Sequence, residues 1–189
     1  MDKFGKVSFI GFGLINSSLA HIFKLKKLSN KTSAFSRRIE TRDKIRSLNI
    51  VDIVNDDIED SVKDSDLIVL GVPVGAMESV IKKILPYLKK GVIITDVGSI
   101  KKKLVDTLVP LLPKDVYFIP GHPIAGTEKS GPESGFPELF NGRWCILTPY
   151  SDTSQKARDK IKFMWEQAGM KVAIMDAEYH DRVLAITSH

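Results

Sequence analysis

Short apolar runs alternate along this chain with amphipathic segments of about three turns, a pattern that few architectures satisfy. Residues 6–10, 32–35, 66–71, 92–96 and 116–119 read as strands, and 52–54 as a shorter one. Residues 14–27, 41–48, 77–88 and 101–112 read as the helices between them. Within 77–88, Met77, Val80, Ile81, Ile84 and Leu85 recur at spacings of three and four and so line one face. A further set follows, with strands at 146–148 and 171–175 around a helix at 155–168. Strands that are apolar throughout need cover on both faces. The expected fold is therefore α/β, a doubly wound, mostly parallel sheet with right-handed crossovers.

In such sheets ligands bind beyond the carboxyl ends of the strands. That rule singles out Gly11, Ser36, Gly71, Asp96 and Gly121, each just past a run. Gly11-Phe12-Gly13-Leu14-Ile15-Asn16 joins the first strand to the first helix. The first glycine of such a turn allows a sharp bend. The second lets backbone approach a pyrophosphate at the helix N-terminus. Asn16 stands where a third glycine would let helix and strand pack closely. It either pushes the helix outward or hydrogen-bonds the cofactor. The second strand, which often ends in an acidic residue that binds a ribose 2′-hydroxyl, ends here in Ser36-Arg37-Arg38. A 2′-phosphate would be gripped there by guanidinium groups, which favours NADP. Alternatively both arginines are solvated and NAD also serves.

The fourth run ends in Gly71-Val72-Pro73, where backbone is expected to contact a cofactor ribose. The fifth leads into Asp96-Val97-Gly98-Ser99, and Ser99 reads either as an N-cap or as a site residue. His122 follows the sixth run, in a Gly- and Pro-rich stretch spanning 121–142 that reads as a long loop. Histidine at that edge is a candidate base for an alcohol proton near neutral pH. Arg143 could bind a carboxylate or anchor the acidic loop before it, and the structural role is preferred. Cys145, between Trp144 and Ile146, reads as a buried thiol, and His21 as a surface residue.

The net charge of +5 raises the question of nucleic acid. Residues 1–50 hold 11 Lys and Arg against 3 Asp and Glu, whereas the remainder holds 17 against 20. The excess is local and lacks interleaved aromatics, so neither nucleic acid nor membrane is an expected partner. The single cysteine excludes a disulfide framework and a cysteine-rich metal site, and it fits a reducing, cytoplasmic setting. No metal is expected.

Taken together, the segments GFGLINSSLA (11–20), DLIVLGVPVGAM (66–77), TDVGSIK (95–101), GHPIAGTEKSGPESGFPELFNGRWCILTP (121–149) and HDRVLAITSH (180–189) resemble the prephenate dehydrogenase family. The likeness runs through essentially the whole chain and is greatest to the cyclohexadienyl dehydrogenase branch of alphaproteobacteria. It implies a Rossmann-like fold and oxidative decarboxylation of prephenate or arogenate in tyrosine biosynthesis, with hydride passing to NADP or NAD. By position in the motifs it implies that His122 meets the substrate hydroxyl and that Ser99 joins the same cluster. Thr127 and Glu128 would line the substrate pocket. His189 would be a substrate-site candidate.

Residues 1–175 are then expected to form the dinucleotide-binding domain. Residues 176–189 would lead into a helical domain that completes a homodimer, with His180 and Asp181 orienting the connecting helix. A piece ending at 189 would bind dinucleotide and turn over poorly. Two other readings compete: another hydroxyacid or imine reductase of the same fold, and a non-catalytic dinucleotide sensor.

Overall fold

The computed structural model describes residues 3–187. Six parallel strands form the main sheet in the order β3-β2-β1-β4-β5-β6. They are β1 (Phe4–Ile10), β2 (Ser29–Phe35), β3 (Ile53–Val54), β4 (Leu67–Leu70), β5 (Ile93–Asp96) and β6 (Tyr117–Ile119). Helices α1 (Leu14–Lys26), α2 (Ile39–Leu48), α3 (Ile58–Val62), α4 (Val74–Ile84) and α5 (Lys102–Leu108) connect them. This is the Rossmann order, and its switch point lies between β1 and β4.

Alternation along the strands builds two cores. Val7, Phe9, Leu67, Val69, Ile93 and Ile119 face one side, packed with Leu19 and Phe23 of α1. Ile10, Ile68, Leu70, Ile94 and Phe118 face the other, packed with Met77, Ile81 and Ile84 of α4 and Leu104 and Leu108 of α5. Because side chains alternate with a period of two, a strand covered on both faces is apolar at most successive positions, as in Leu67–Leu70. That is why these strands read as largely apolar runs.

Besides small shifts of element ends, the structure differs from the sequence expectation as follows. Pro73, at φ −53°, caps α4, so that helix begins at Val74 rather than at 77. Pro110 cannot donate to the ladder, and α5 gives way to a 3₁₀ turn at Val109–Leu111. The five-residue α3 was not anticipated; it is too short to show a helical period. The largest difference is in 121–142, which is not a single loop. It opens with β7 (Gly121–Pro123), which pairs antiparallel with β8 (Trp144–Leu147). β8 pairs parallel with β9 (Lys171–Ile174), and α6 (Gln155–Gln167) links the two. These three strands form a second sheet, in the order β7-β8-β9. Pro120 separates β6 from β7. Its carbonyl accepts from Thr148 N–H at 3.0 Å, which turns the chain onto the new sheet. Gly121 makes the junction possible. A Cβ there would lie 3.0 Å from the Asp96 carbonyl oxygen at the end of β5.

The last helix, α7 (Ala177–Thr187), packs against α5. Among the described residues, no helix is long and apolar enough to cross a membrane.

Candidate active site

The switch point carries the glycine turn. Gly11 has φ +78°, a conformation that suits glycine. Its N–H donates to the Phe35 carbonyl at 2.9 Å, and Gly71 N–H donates to the Ile10 carbonyl at 2.7 Å. These bonds lock the ends of β1, β2 and β4 together. A Cβ on Gly11 would come within 2.8 Å of Gly71 backbone, whereas one on Gly13 would meet nothing. Gly13 is the N-cap of α1, with no side-chain cap and no acidic residue in the first turn. The first N–H groups of α1 are therefore left for an anion, and backbone can approach it closely. Those features fit a dinucleotide pyrophosphate. Phe12 packs into the core against Phe9, so only its backbone is available to a ligand. Leu14 and Ile15 begin the helix and are half-buried.

Asn16 is buried and bonds to backbone of the turn and of β4. Its Nδ2 donates to the Gly11 carbonyl at 2.7 Å and to the Val69 carbonyl at 3.3 Å. The amide occupies the space left by the missing Cβ of Gly71. It staples the glycine turn to β4.

At the end of β2, Ser36 is half-buried and Arg37 and Arg38 are exposed. Among the described residues, neither guanidinium makes a hydrogen bond or ion pair. A third guanidinium, absent from the sequence reading, shapes the turn. Arg42 of α2 donates to the Ser36 carbonyl at 2.9 Å and the Arg37 carbonyl at 3.1 Å while paired to Asp56. The loop is thus held in place while Arg37 and Arg38 stay unengaged. On β4's far side, Val72 is half-buried and Pro73 exposed.

His122 is the central residue of β7, opposite Ile146. Its Nδ1 lies 2.9 Å from His180 Nε2 of α7, and the rings meet edge to face at 5.1 Å. His180 is fully buried, and its Nδ1 lies 2.7 Å from Asp181 Oδ1. Asp181 also accepts from Lys101 N–H and Lys102 N–H, both at 2.9 Å, and so caps α5. Partial burial works to raise the Asp181 carboxyl, but the Lys101 N–H, His180 and Lys102 N–H together hold it below the usual carboxylate range. Burial lowers His122 to about 4, helped by His180 and the Lys101 ammonium. At neutral pH His122 is therefore an uncharged imidazole. Among the described residues its Nε2 has no partner.

Beneath this histidine lies a buried ion pair. Lys101 and Asp96 are both fully inaccessible, and their charged groups meet directly. Lys101 Nζ also donates to the Gly121 carbonyl at 2.8 Å. Asp96 accepts from Gly98 N–H at 2.8 Å and Gly121 N–H at 3.2 Å. One pair thereby ties β5, the start of α5 and the residue before His122. Burial pushes the Asp96 carboxyl up, against the pull of Lys101 and the two backbone donors. Lysine is ordinarily read as a surface residue, and nothing in the sequence pattern marked this one as buried.

Ser99 lies exposed beyond β5 and makes no hydrogen bond among the described residues. It is not the N-cap of α5, which is Lys101. The structure makes His180 the partner of His122. Thr127 and Glu128 are exposed, and Thr127 Oγ1 accepts from Lys129 N–H at 3.2 Å. His189 lies outside the described residues. Arg143 is exposed and its guanidinium forms no ion pair among them, while its backbone bonds to the Phe140 carbonyl of the preceding loop and to Lys171 N–H. Cys145 is buried, which raises its thiol and makes it inert. His21 is half-buried on α1 rather than at the surface. The described residues contain no cluster of three or more His, Cys, Asp or Glu that could hold a metal.

Residues 19–174 match the family described as prephenate dehydrogenase, nucleotide-binding domain. The cyclohexadienyl dehydrogenase of Zymomonas mobilis is 44% identical over 189 residues, which is 100% of this chain and 64% of that protein. The prephenate dehydrogenase of Lactococcus lactis is 33% identical over 97% of this chain and 50% of that protein. Prephenate dehydrogenase from Aquifex aeolicus, solved with hydroxyphenyl propionate and NAD+, superimposes with a TM-score of 0.88. It is 34% identical, over 95% of this chain and 63% of that one. The chain thus spans between half and two-thirds of the length of these relatives.

Proposed function

This chain belongs to the prephenate dehydrogenase family, in its nucleotide-binding domain, and from that premise we propose that its gene product oxidatively decarboxylates prephenate or arogenate. The observation that carries the reading is His122, kept neutral at the carboxyl edge of the sheets with Nε2 unengaged. The nicotinamide, when bound, supplies the hydride acceptor. Gly11, Gly13 and the first turn of α1 would hold its pyrophosphate, with backbone of Phe12, Leu14, Ile15, Val72, Pro73 and Gly98 beside it.

The role of His122 follows from charge balance. Hydride leaves the ring carbon that bears the hydroxyl, so that oxygen becomes strongly acidic. His122 Nε2 accepts its proton as the carbon–oxygen bond becomes a carbonyl. The bond from ring to carboxylate then breaks, CO2 departs, and the electron pair left behind completes the aromatic ring. The phenolic oxygen takes the proton back from His122. No proton is consumed overall, so one imidazole serves in both directions. Ser99, Thr127 and Glu128 are proposed to orient the substrate, as is His189. The working form in this reading is a cytoplasmic homodimer, which light scattering on the gene product would check.

The cofactor is proposed to be NADP in preference to NAD. Support comes from Ser36, which does not repel phosphate, and from two unengaged guanidiniums beside a turn braced by Arg42. Replacing Arg37 and Arg38 together by alanine is expected to weaken NADP binding about 10- to 100-fold and to leave NAD within about twofold. Calorimetric titration measures both constants. Equal losses for the two nucleotides would remove the arginines from 2′-phosphate recognition.

A further inference from the structure

We propose that His180 and Asp181 are positioning residues that fix the tautomer of His122, placing its proton on Nδ1 and leaving the Nε2 lone pair for the substrate. The inference rests on the dehydrogenase reading for its consequence, but its geometry stands alone. Asp181 is itself clamped. One carboxylate oxygen accepts from Lys101 N–H and the other from Lys102 N–H, at the start of α5. An ionised carboxylate can only accept. The contact between Asp181 Oδ1 and His180 Nδ1 therefore requires the proton to sit on His180 Nδ1. A neutral His180 then offers a lone pair at Nε2, 2.9 Å from His122 Nδ1. His122 must donate there. Having one proton, it presents a bare Nε2.

The groups facing this chain come from three further elements. Lys101 is the N-cap of α5, Asp96 lies on β5, and the Gly121 backbone beside them lies on β7. Lys101 and Asp96 neutralise each other, so Asp181 is the net charge nearest His180. When His122 takes up the substrate proton, its Nδ1–H bond to His180 shortens the path from imidazolium to carboxylate. Asp181 then stabilises the cation without moving a proton itself, the arrangement known from serine hydrolases with one more imidazole inserted. The competing arrangement is a doubly protonated His180. It would donate to His122 Nδ1 and drive the His122 proton onto Nε2, where it could not accept from an alcohol.

The two arrangements give opposite ¹⁵N signatures. Imidazole NMR of the chain near neutral pH is expected to show His122 protonated at Nδ1 and bare at Nε2. Asp181→Ala removes the acceptor that holds the proton on His180 Nδ1, so both rings should populate the opposite tautomer, with the His122 proton on Nε2. In the gene product, kcat should then fall about 10²–10⁴-fold with NADP affinity unchanged, and Asp181→Glu should recover part of it. Asp181 also caps α5, so thermal stability is followed in parallel. A merely structural role predicts a lower Tm with the His122 tautomer unaltered in the folded protein, and that result overturns the relay. So does Nε2 protonation in the unmodified chain. If the unmodified gene product is inactive on both substrates yet shows the expected tautomers, the dehydrogenase reading fails and the relay stands.

Discussion

Replacing His122 by alanine is expected to lower kcat by at least about 10³-fold while leaving the dissociation constant for NADP within about twofold. The reason for the separation is spatial. In the proposed reading the dinucleotide is held by the turn at Gly11–Gly13 and the ends of β1, β2 and β4, which backbone bonds lock together. His122 belongs to β7 in the second sheet and contributes to none of those bonds. Its removal deletes the proton acceptor and leaves the nucleotide cradle unaltered. Near-normal turnover in the variant would take His122 out of the chemistry. In the proposed mechanism the same residue governs the acid side of the pH profile. With the imidazole lowered to about 4, the neutral, accepting form persists through the range where an ordinary histidine would protonate. The rate, kcat/KM, should therefore stay level as pH falls from about 8 to about 5. An acid limb centred near the ordinary histidine value would contradict the burial argument.

Lys101→Met is expected to cost about 3–5 kcal/mol of folding stability, the range for removing one partner of a buried ion pair. For a chain of this size that corresponds to a fall in Tm of roughly 6–20 °C. The loss has a definite cause. Asp96 is fully buried, and without Lys101 its charge is met only by the N–H groups of Gly98 and Gly121. Pairing the substitution with Asp96→Asn should recover part of the stability, because no charge then remains uncompensated. Lys102→Met, on the exposed face beside Asp106, should leave Tm where it is. If Lys101→Met melts like the parent chain, the pair is not holding the two sheets in register.

What the sequence disclosed follows from which interactions are local. Parallel strands buried on both faces are largely apolar, so β1, β4, β5 and β6 stood out, and so did the glycine turn between β1 and α1. The second sheet did not, because β7 is only Gly-His-Pro and carries no apolar run of its own. Its pairing to β8 is a matter of tertiary placement. His122 was visible as a candidate from its motif, yet its partner lies 58 residues away on another element. The adjacent His180 and Asp181 could be suspected only of orienting a helix. Lys101 ends the TDVGSIK segment without any local sign of burial, since a buried lysine has no signature apart from the carboxylate it meets. Asn16 read as a defect in the fingerprint because its counterpart, the missing side chain of Gly71, is 55 positions further along.

The most direct measurement is an initial-rate comparison on the gene product, with prephenate and arogenate each offered NADP and NAD. The account predicts reduction of the nicotinamide with one equivalent of CO2 released per turnover, faster with NADP, and abolished by His122→Ala. Absence of reduction in all four combinations, with NADP still bound tightly, would contradict it and leave a dinucleotide-sensing domain built on the same sheet.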